Sequence, residues 1–232
     1  GPTDVPMAPD LLGRLKRYDE AVRLARASAE TRERGGNLQG AALGRLQTAR
    51  LLIDDAQPTR ALAELSLADA HIASLSLKAE RIEALRLSGV AAARLGEWAD
   101  AKRALTQATN LAAKNGDVRV TREAHLSLGN ALAAYGDTAA ALQAYDRAAA
   151  AVSTATASLS DDFDRARYRA EHLAPFDAVL SIALAMTDSS TLVARWSARR
   201  KGAALALATR GRADPRDLDS RGCARCSNLT AP

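Results

Sequence analysis

Apolar and small residues recur along this chain at spacings of three and four, the stripe of an amphipathic helix, and the stripe is rewritten with a step of 40 residues. Ala21, Ala61, Ala101 and Ala141 keep that step. So do Ala25, Leu65, Leu105 and Tyr145, and the small residues Ser28, Ala68, Ala108 and Ala148. Upstream, Leu12, Leu52, Ala92 and Leu132 repeat it, as do Ala49, Gly89 and Gly129. Each unit therefore reads as two helices, the first over about 41–55, 80–95 and 120–135, the second over about 58–74, 98–114 and 138–153. The turns inside the units are Ala56-Gln57-Pro58, Gly96-Glu97 and Gly136-Asp137. Glycine suits the left-handed position that ends a helix, and Pro58 suits the first turn of the next.

Sterics explain the small residues. Where two helices of a hairpin cross, a bulky side chain holds the backbones apart. Gly89 and Gly129 are expected to meet Ala101 and Ala141, or near neighbours, on the second helix. A single hairpin cannot bury its own stripe, so each must stack on the next.

The third unit, His125-Leu-Ser-Leu128-Gly129-Asn-Ala-Leu132…Gly136-Asp…Ala141-Leu-Gln-Ala-Tyr145-Asp-Arg-Ala148, resembles the tetratricopeptide repeat, with His125 where that pattern often has Trp. The second, Leu85…Gly89…Gly96-Glu-Trp98…Ala101…Leu105…Ala108, resembles it too. The resemblance spans about 10–153 and implies an all-α, right-handed solenoid of helical hairpins that binds a protein or peptide. The first unit is cut, because Pro9 falls where a small helical residue belongs. The step exceeds the roughly 34 residues of the basic repeat, so longer helices or loops are expected.

The spacing breaks after Val152. Ser153 to Ser160 is a Ser/Thr-rich link, and Asp161 or Asp162 caps a helix reaching about Met186. Pro175 should kink or split it. A further helix over about 191–210 completes a longer terminal hairpin that is no copy of the repeat. Arg165-Ala-Arg-Tyr168, Phe176 to Leu184, and Ala194-Arg-Trp196 through Arg200-Lys201-Gly202-Ala-Ala-Leu205 resemble the segment that precedes the caspase-like domain of CHAT proteins. That resemblance covers about 160–206 and implies a sensing or regulatory module, or the non-catalytic part of a protease whose catalytic domain lies downstream. The expected organisation is an arm over 1–8, repeats over 9–153, the terminal hairpin over 154–210 and a tail over 211–232 without a core. Gly1-Pro2 reads as the remnant of protease cleavage, so any native address is expected to be missing.

Composition narrows the function. Aromatics make up 3% of the chain and hydrophobic residues 47%, which favours close-packed small side chains over a bulky aromatic core. The net charge of +5 is modest and the aromatics are not interleaved with basic residues, so a nucleic-acid binder is the weakest reading. No run approaches the roughly 20 apolar residues of a membrane span, and a cytoplasmic protein is the expectation.

Catalysis is not expected, since a caspase-like mechanism needs a paired His and Cys. His125 lies on a repeat helix, His71 near a helix end, and Cys223 and Cys226 in the tail. Cys223 and Cys226 have C-x-x-C spacing, yet two further zinc ligands are not near, so no metal or cofactor is expected. The leading candidate site is instead the concave face. Inward positions there, one residue after the small position and three or four to either side, give Arg50, Ile53 and Asp54, then Arg86, Val90, Ala93 and Arg94, then Leu126, Asn130, Ala133 and Ala134. Asn can bond a peptide backbone, Arg can bond carboxylates, and Ala leaves room, so an extended and acidic segment is the expected partner.

Overall fold

The computed structural model describes residues 9–186 and 189–208. Among these, eleven helices and no strand occur. They are α1 (Pro9–Arg14), α2 (Tyr18–Arg34), α3 (Leu38–Asp54), α4 (Pro58–Ser74), α5 (Lys78–Arg94), α6 (Trp98–Asn115), α7 (Val118–Tyr135), α8 (Thr138–Ala157), α9 (Asp162–Glu171), α10 (Ala174–Ala185) and α11 (Ser190–Ala208). Two compact units divide the chain between Val152 and Ser153.

In the first unit the helices keep a finer rhythm than the 40-residue step. A left-handed residue follows the helices at Lys16, Gly36, Ala56, Ser76, Gly96, Gly116 and Gly136, each 20 residues after the last. Six of these turns share one pattern, in which the N–H just past the left-handed residue bonds a carbonyl five residues back. These bonds are Arg17 to Leu12, Asn37 to Arg32, Gln57 to Leu52, Leu77 to Ile72, Glu97 to Ala92, and Asp137 to Leu132. This is the Schellman motif, which satisfies carbonyls a helix end would otherwise leave orphaned. A turn of two or three residues then lets the next helix start at once. Asn37, Asp117 and Asp137 open α3, α7 and α8 by accepting from Gly40 N, Val120 N and Ala140 N at 2.8, 3.1 and 3.1 Å.

Consecutive helices from α1 to α7 pack on one another. The repeated small residues form the spine of the core: Ala21, Ala61, Ala101 and Ala141 are at most 1% exposed, and Ala68, Ala108 and Ala148 are fully buried. Leu52, Ile72, Ile82 and Leu105 fill the space between layers. Gly89 meets Ala101 as expected, a Cβ there standing 3.2 Å from the Ala101 carbonyl oxygen, but the tightest contacts fall one turn further along. A Cβ at Gly89 would stand 2.5 Å from Leu105 Cγ, and one at Gly129 would stand 2.5 Å from Tyr145 Cε1. The near neighbours in the same stripe thus take the crossing.

A second observation positions the candidate site. The backbones of α3, α5 and α7 also approach one another directly, whereas those of α2, α4 and α6 keep apart among the described residues. The stack closes up on the side of its first helices, so that side forms an inner face.

In the second unit the break expected at Pro175 is a split, so the terminal hairpin holds three helices. The helix foreseen from Asp161 to Met186 is divided into α9 and α10 at His172-Leu173. Pro175 causes the split: it has no N–H to offer and its ring collides with the carbonyl four residues back, at Glu171. It then sits comfortably in the first turn of α10. α11 packs on both α9 and α10. Trp196 on α11 is buried, edge-on to Phe176 at 5.8 Å, with the Arg199 guanidinium 4.1 Å from its ring centre.

Candidate partner-binding face

The inner face of the first unit is held by a ladder of polar side chains that crosses from one first helix to the next. Glu83 on α5 is its centre. Arg86 donates to both Glu83 oxygens, at 2.8 and 2.7 Å, and Arg50 on α3 donates to the same carboxylate at 2.7 Å. Arg86 continues to Ser127 Oγ on α7 at 3.2 Å. Gln39 on α3 donates to Glu80 on α5 at 3.3 Å. Arg94, at the end of α5, donates to the Ile53 carbonyl near the end of α3. A cation there also complements the negative end of the α3 dipole. The Gln39, Arg86 and Arg94 bonds each span 41 residues. Neighbouring first helices therefore meet one residue out of register with the repeat.

Electrostatics reinforce the ladder. Burial by itself would push the Glu83 carboxyl up, but Arg86 and Arg50 outweigh it and hold it down at about 2. Burial likewise works against the charged Arg86 guanidinium, and Glu83, Glu123 and Asp54 overcome it, so its pKa is raised. Both groups stay ionised at any physiological pH.

Of the residues singled out in the sequence, Arg50, Arg86 and Arg94 thus come together as ties between helices, each already holding a carboxylate or a carbonyl. Asn130 is exposed, and its Oδ1 accepts from the Tyr145 hydroxyl on α8 at 2.9 Å. Asp54 is exposed, while Val90, Leu126 and Ala133 are half-buried, with Val90 packed against the core. Ile53 is only 3% exposed and belongs to the core rather than the face. It stands four positions after the buried Ala49, on the same side of α3, and both join the core. Cys223 and Cys226 lie outside the described residues. Among the described residues no group of three or more His, Cys, Asp or Glu is placed to hold a metal. No described helix is long and apolar enough to cross a membrane.

A groove of about 350 Å³ opens on this face toward the first-turn ends of α5 and α7. Its apolar lining includes Leu43, Leu46, Ala79 and Val120; its charges are Asp10, Glu80, Glu83 and Glu123 against Arg50 and Arg119. Carboxylates therefore outnumber guanidiniums four to two. Leu43 is 47% exposed, an uncovered apolar side chain at the groove. Apart from Arg50, the groove residues were not foreseen from the sequence, although the signal was present. Leu43, Glu83 and Glu123 keep the 40-residue step and stand seven residues, two helical turns, before Arg50, Val90 and Asn130. The search around the small position stopped one turn short.

Two further features belong to this unit. Trp98 and Tyr135 lie 5.5 Å apart beside an apolar hollow of about 190 Å³ that also touches Leu128 and Leu132. On the other side of α3, a chain of alternating charges runs from Arg26 to Glu64, Arg45 and Glu33, with links of 2.6, 3.1 and 2.6 Å, and Glu33 also meets the His71 ring at 3.1 Å. Arg45 and Glu64 are 7% and 5% exposed. Comparison adds no relatives: no family model matches the chain, and no curated protein matches it.

Proposed function

We propose that this chain is a protein-interaction module of the tetratricopeptide type, a right-handed stack that holds an extended segment of a partner along its inner face. The observation that carries the proposal is the groove between α3, α5 and α7. It combines an uncovered leucine, the small side chain of Ala79, and charges held by the ladder. A surface whose polar groups are pre-positioned loses little entropy when a partner arrives. The mixture of apolar and charged side chains in the lining suits an extended peptide, whose side chains point alternately to either side.

The groove also argues for the partner's charge. The expectation of an acidic segment rested on Arg50, Arg86 and Arg94, and all three are committed within the chain. The excess around the groove is of carboxylates, so a segment with Lys or Arg between apolar residues is favoured. The run Arg200-Lys201-Gly202-Ala-Ala-Leu205 in α11 supports a regulatory role of the CHAT-associated kind, in which capture of the partner is reported to a neighbouring domain.

Selection of binders from a random peptide display library on the full chain tests the reading. Selected peptides should lose affinity by about tenfold or more against Leu43→Ser combined with Glu80→Lys, an exposed and a half-buried position at the groove. Undiminished binding to that variant, with its helical circular dichroism intact, would sink the groove as the binding face. Enrichment of acidic rather than basic peptides that do depend on the groove would overturn only the charge assignment.

A further inference from the structure

At the edge of the first unit where α4 gives way to α5 and α6 ends, two adjoining cavities of about 500 and 270 Å³ share Lys78 and Arg81 as a common wall. The larger also touches Ile82, Leu111 and Lys114; the smaller reaches Ile72 and Leu77. Every ionisable side chain that lines either cavity is a cation, and no carboxylate does. Arg81 is bonded to Asp69 at 2.6 Å, outside both linings. Lys78 and Lys114 have no ion-pair partner among the described residues. The floor is apolar: Ile72 and Ile82 are almost fully buried beneath it, and Leu111 is 37% exposed at its side.

The start of α5 adds to the same field. α3 and α7 begin with capping side chains, Asn37 and Asp117, at the position that Leu77 occupies before α5. α5 therefore starts without a side-chain cap, so its first amide groups beside Lys78 have no capping side chain, and the one carboxylate of that turn, Glu80, is held by Gln39 on the inner face instead. Together the three cations and the apolar floor make a hollow within the size range of small-ligand sites. Its chemistry selects for a negative head on an apolar body.

We propose that this hollow binds a small amphiphilic anion, a carboxylate or phosphate carrying an apolar chain, with Lys78, Arg81 and Lys114 around the head group and the chain over Ile82 and Leu111. This site is separate from the inner-face groove and does not depend on the reading given to that groove. Lys78 and Arg81 are exposed, so the attraction is screened by salt.

Titration calorimetry on the full chain with octyl phosphate and octanoate tests it, against inorganic phosphate, octanol and octyltrimethylammonium. Either anionic amphiphile should bind at least about tenfold more tightly than the three controls, and the tighter of the two identifies the head group. Lys78→Glu with Lys114→Glu should abolish that preference while leaving the circular dichroism unchanged, since both lysines are exposed. Amide shifts on binding should cluster at Lys78–Ile82 and Leu111–Lys114. Equal binding of octanol or the cation would reduce the hollow to an apolar patch and overturn the proposal. Equal binding of inorganic phosphate would reduce it to a surface charge and do the same. Failure of both anionic amphiphiles to bind, or binding that survives the double charge reversal, would also overturn it.

Discussion

Gly129 lies so close to the ring of Tyr145 that a methyl group on its Cα would stand 2.5 Å from Cε1 and 2.6 Å from Cδ1. The absence of a side chain on α7 is thus what lets the aromatic of α8 lie in the crossing, with its hydroxyl reaching Asn130. Gly129→Ala should destabilise the protein by about 1–3 kcal/mol, the usual cost of overpacking a filled contact. Pairing it with Tyr145→Leu reproduces the Ala49 and Leu65 combination that the first complete unit carries at the same positions, and should recover part of the loss. Urea denaturation of the single and double variants measures this, and additive losses would show that the two residues do not share the crossing.

The left-handed turns differ in how well their residues suit them. Ala56 and Ser76 hold φ of 56° and 53°, where Gly96 holds 78° with no atom within 4 Å of a built Cβ. A left-handed conformation costs an L-residue about 1–2 kcal/mol. Ala56→Gly and Ser76→Gly should each raise stability by a few tenths to about 1 kcal/mol, the gain being reduced by glycine's greater freedom when unfolded. Gly96→Ala should lower it by about 1 kcal/mol. Thermal melts that show the opposite order would contradict the turn assignment.

Glu83 ties three helices, and its carboxyl is held at about 2 against an ordinary 4.5. A depressed carboxyl pKa contributes stability that is complete above the unfolded value and is lost as pH falls from about 4.5 toward 2. Glu83→Gln should therefore cost up to about 3 kcal/mol at neutral pH and flatten the stability profile in that acid window. Glu33, also lowered chiefly by its bond to Arg45, adds loss of the same sign in acid. An unchanged acid limb in Glu83→Gln would remove Glu83 from the account.

His125 titrates at higher pH. Burial, with help from Arg147, lowers its pKa from 6.5, and its Nδ1 has no partner. The folded protein thus disfavours the charged ring, so stability falls as pH drops below about 6.5, the unfolded value. His125→Leu should remove that slope while leaving the lower limb set by Glu83 in place. Stability measured from pH 7 to pH 5 distinguishes the two variants.

Arg45 and Glu64 are buried opposite charges whose neighbours complete a network. Removing one partner strands the other, so Glu64→Leu alone should cost about 3–5 kcal/mol. Arg45→Met with Glu64→Leu should recover most of it, because a well-packed apolar pair avoids the desolvation of both ions. If the double variant is no more stable than Glu64→Leu, the network contributes through members beyond this pair.

The period was legible without coordinates because stacking identical hairpins demands the same small residue at each crossing, and Ala61, Ala101, Gly89 and Gly129 satisfy that steric demand in one dimension. Helix ends followed for the same reason, since Gly96 and Gly136 announce left-handed turns; Lys16, Ala56 and Ser76 announce nothing, so the 20-residue rhythm emerged only from backbone angles. The break at Pro175 could be foreseen as a kink or a split, and a lacking N–H with a blocked carbonyl made it a split. What each inner-face residue does was decided by tertiary structure. Arg50, Arg86 and Arg94 read as free hands for a ligand until α3, α5 and α7 were placed side by side, where hydrogen bonds to Glu83 and the Ile53 carbonyl committed them to the fold. A repeat pattern records which side of a helix is buried. It does not record which charge on the neighbouring helix stands opposite, because that depends on the one-residue offset between adjacent hairpins.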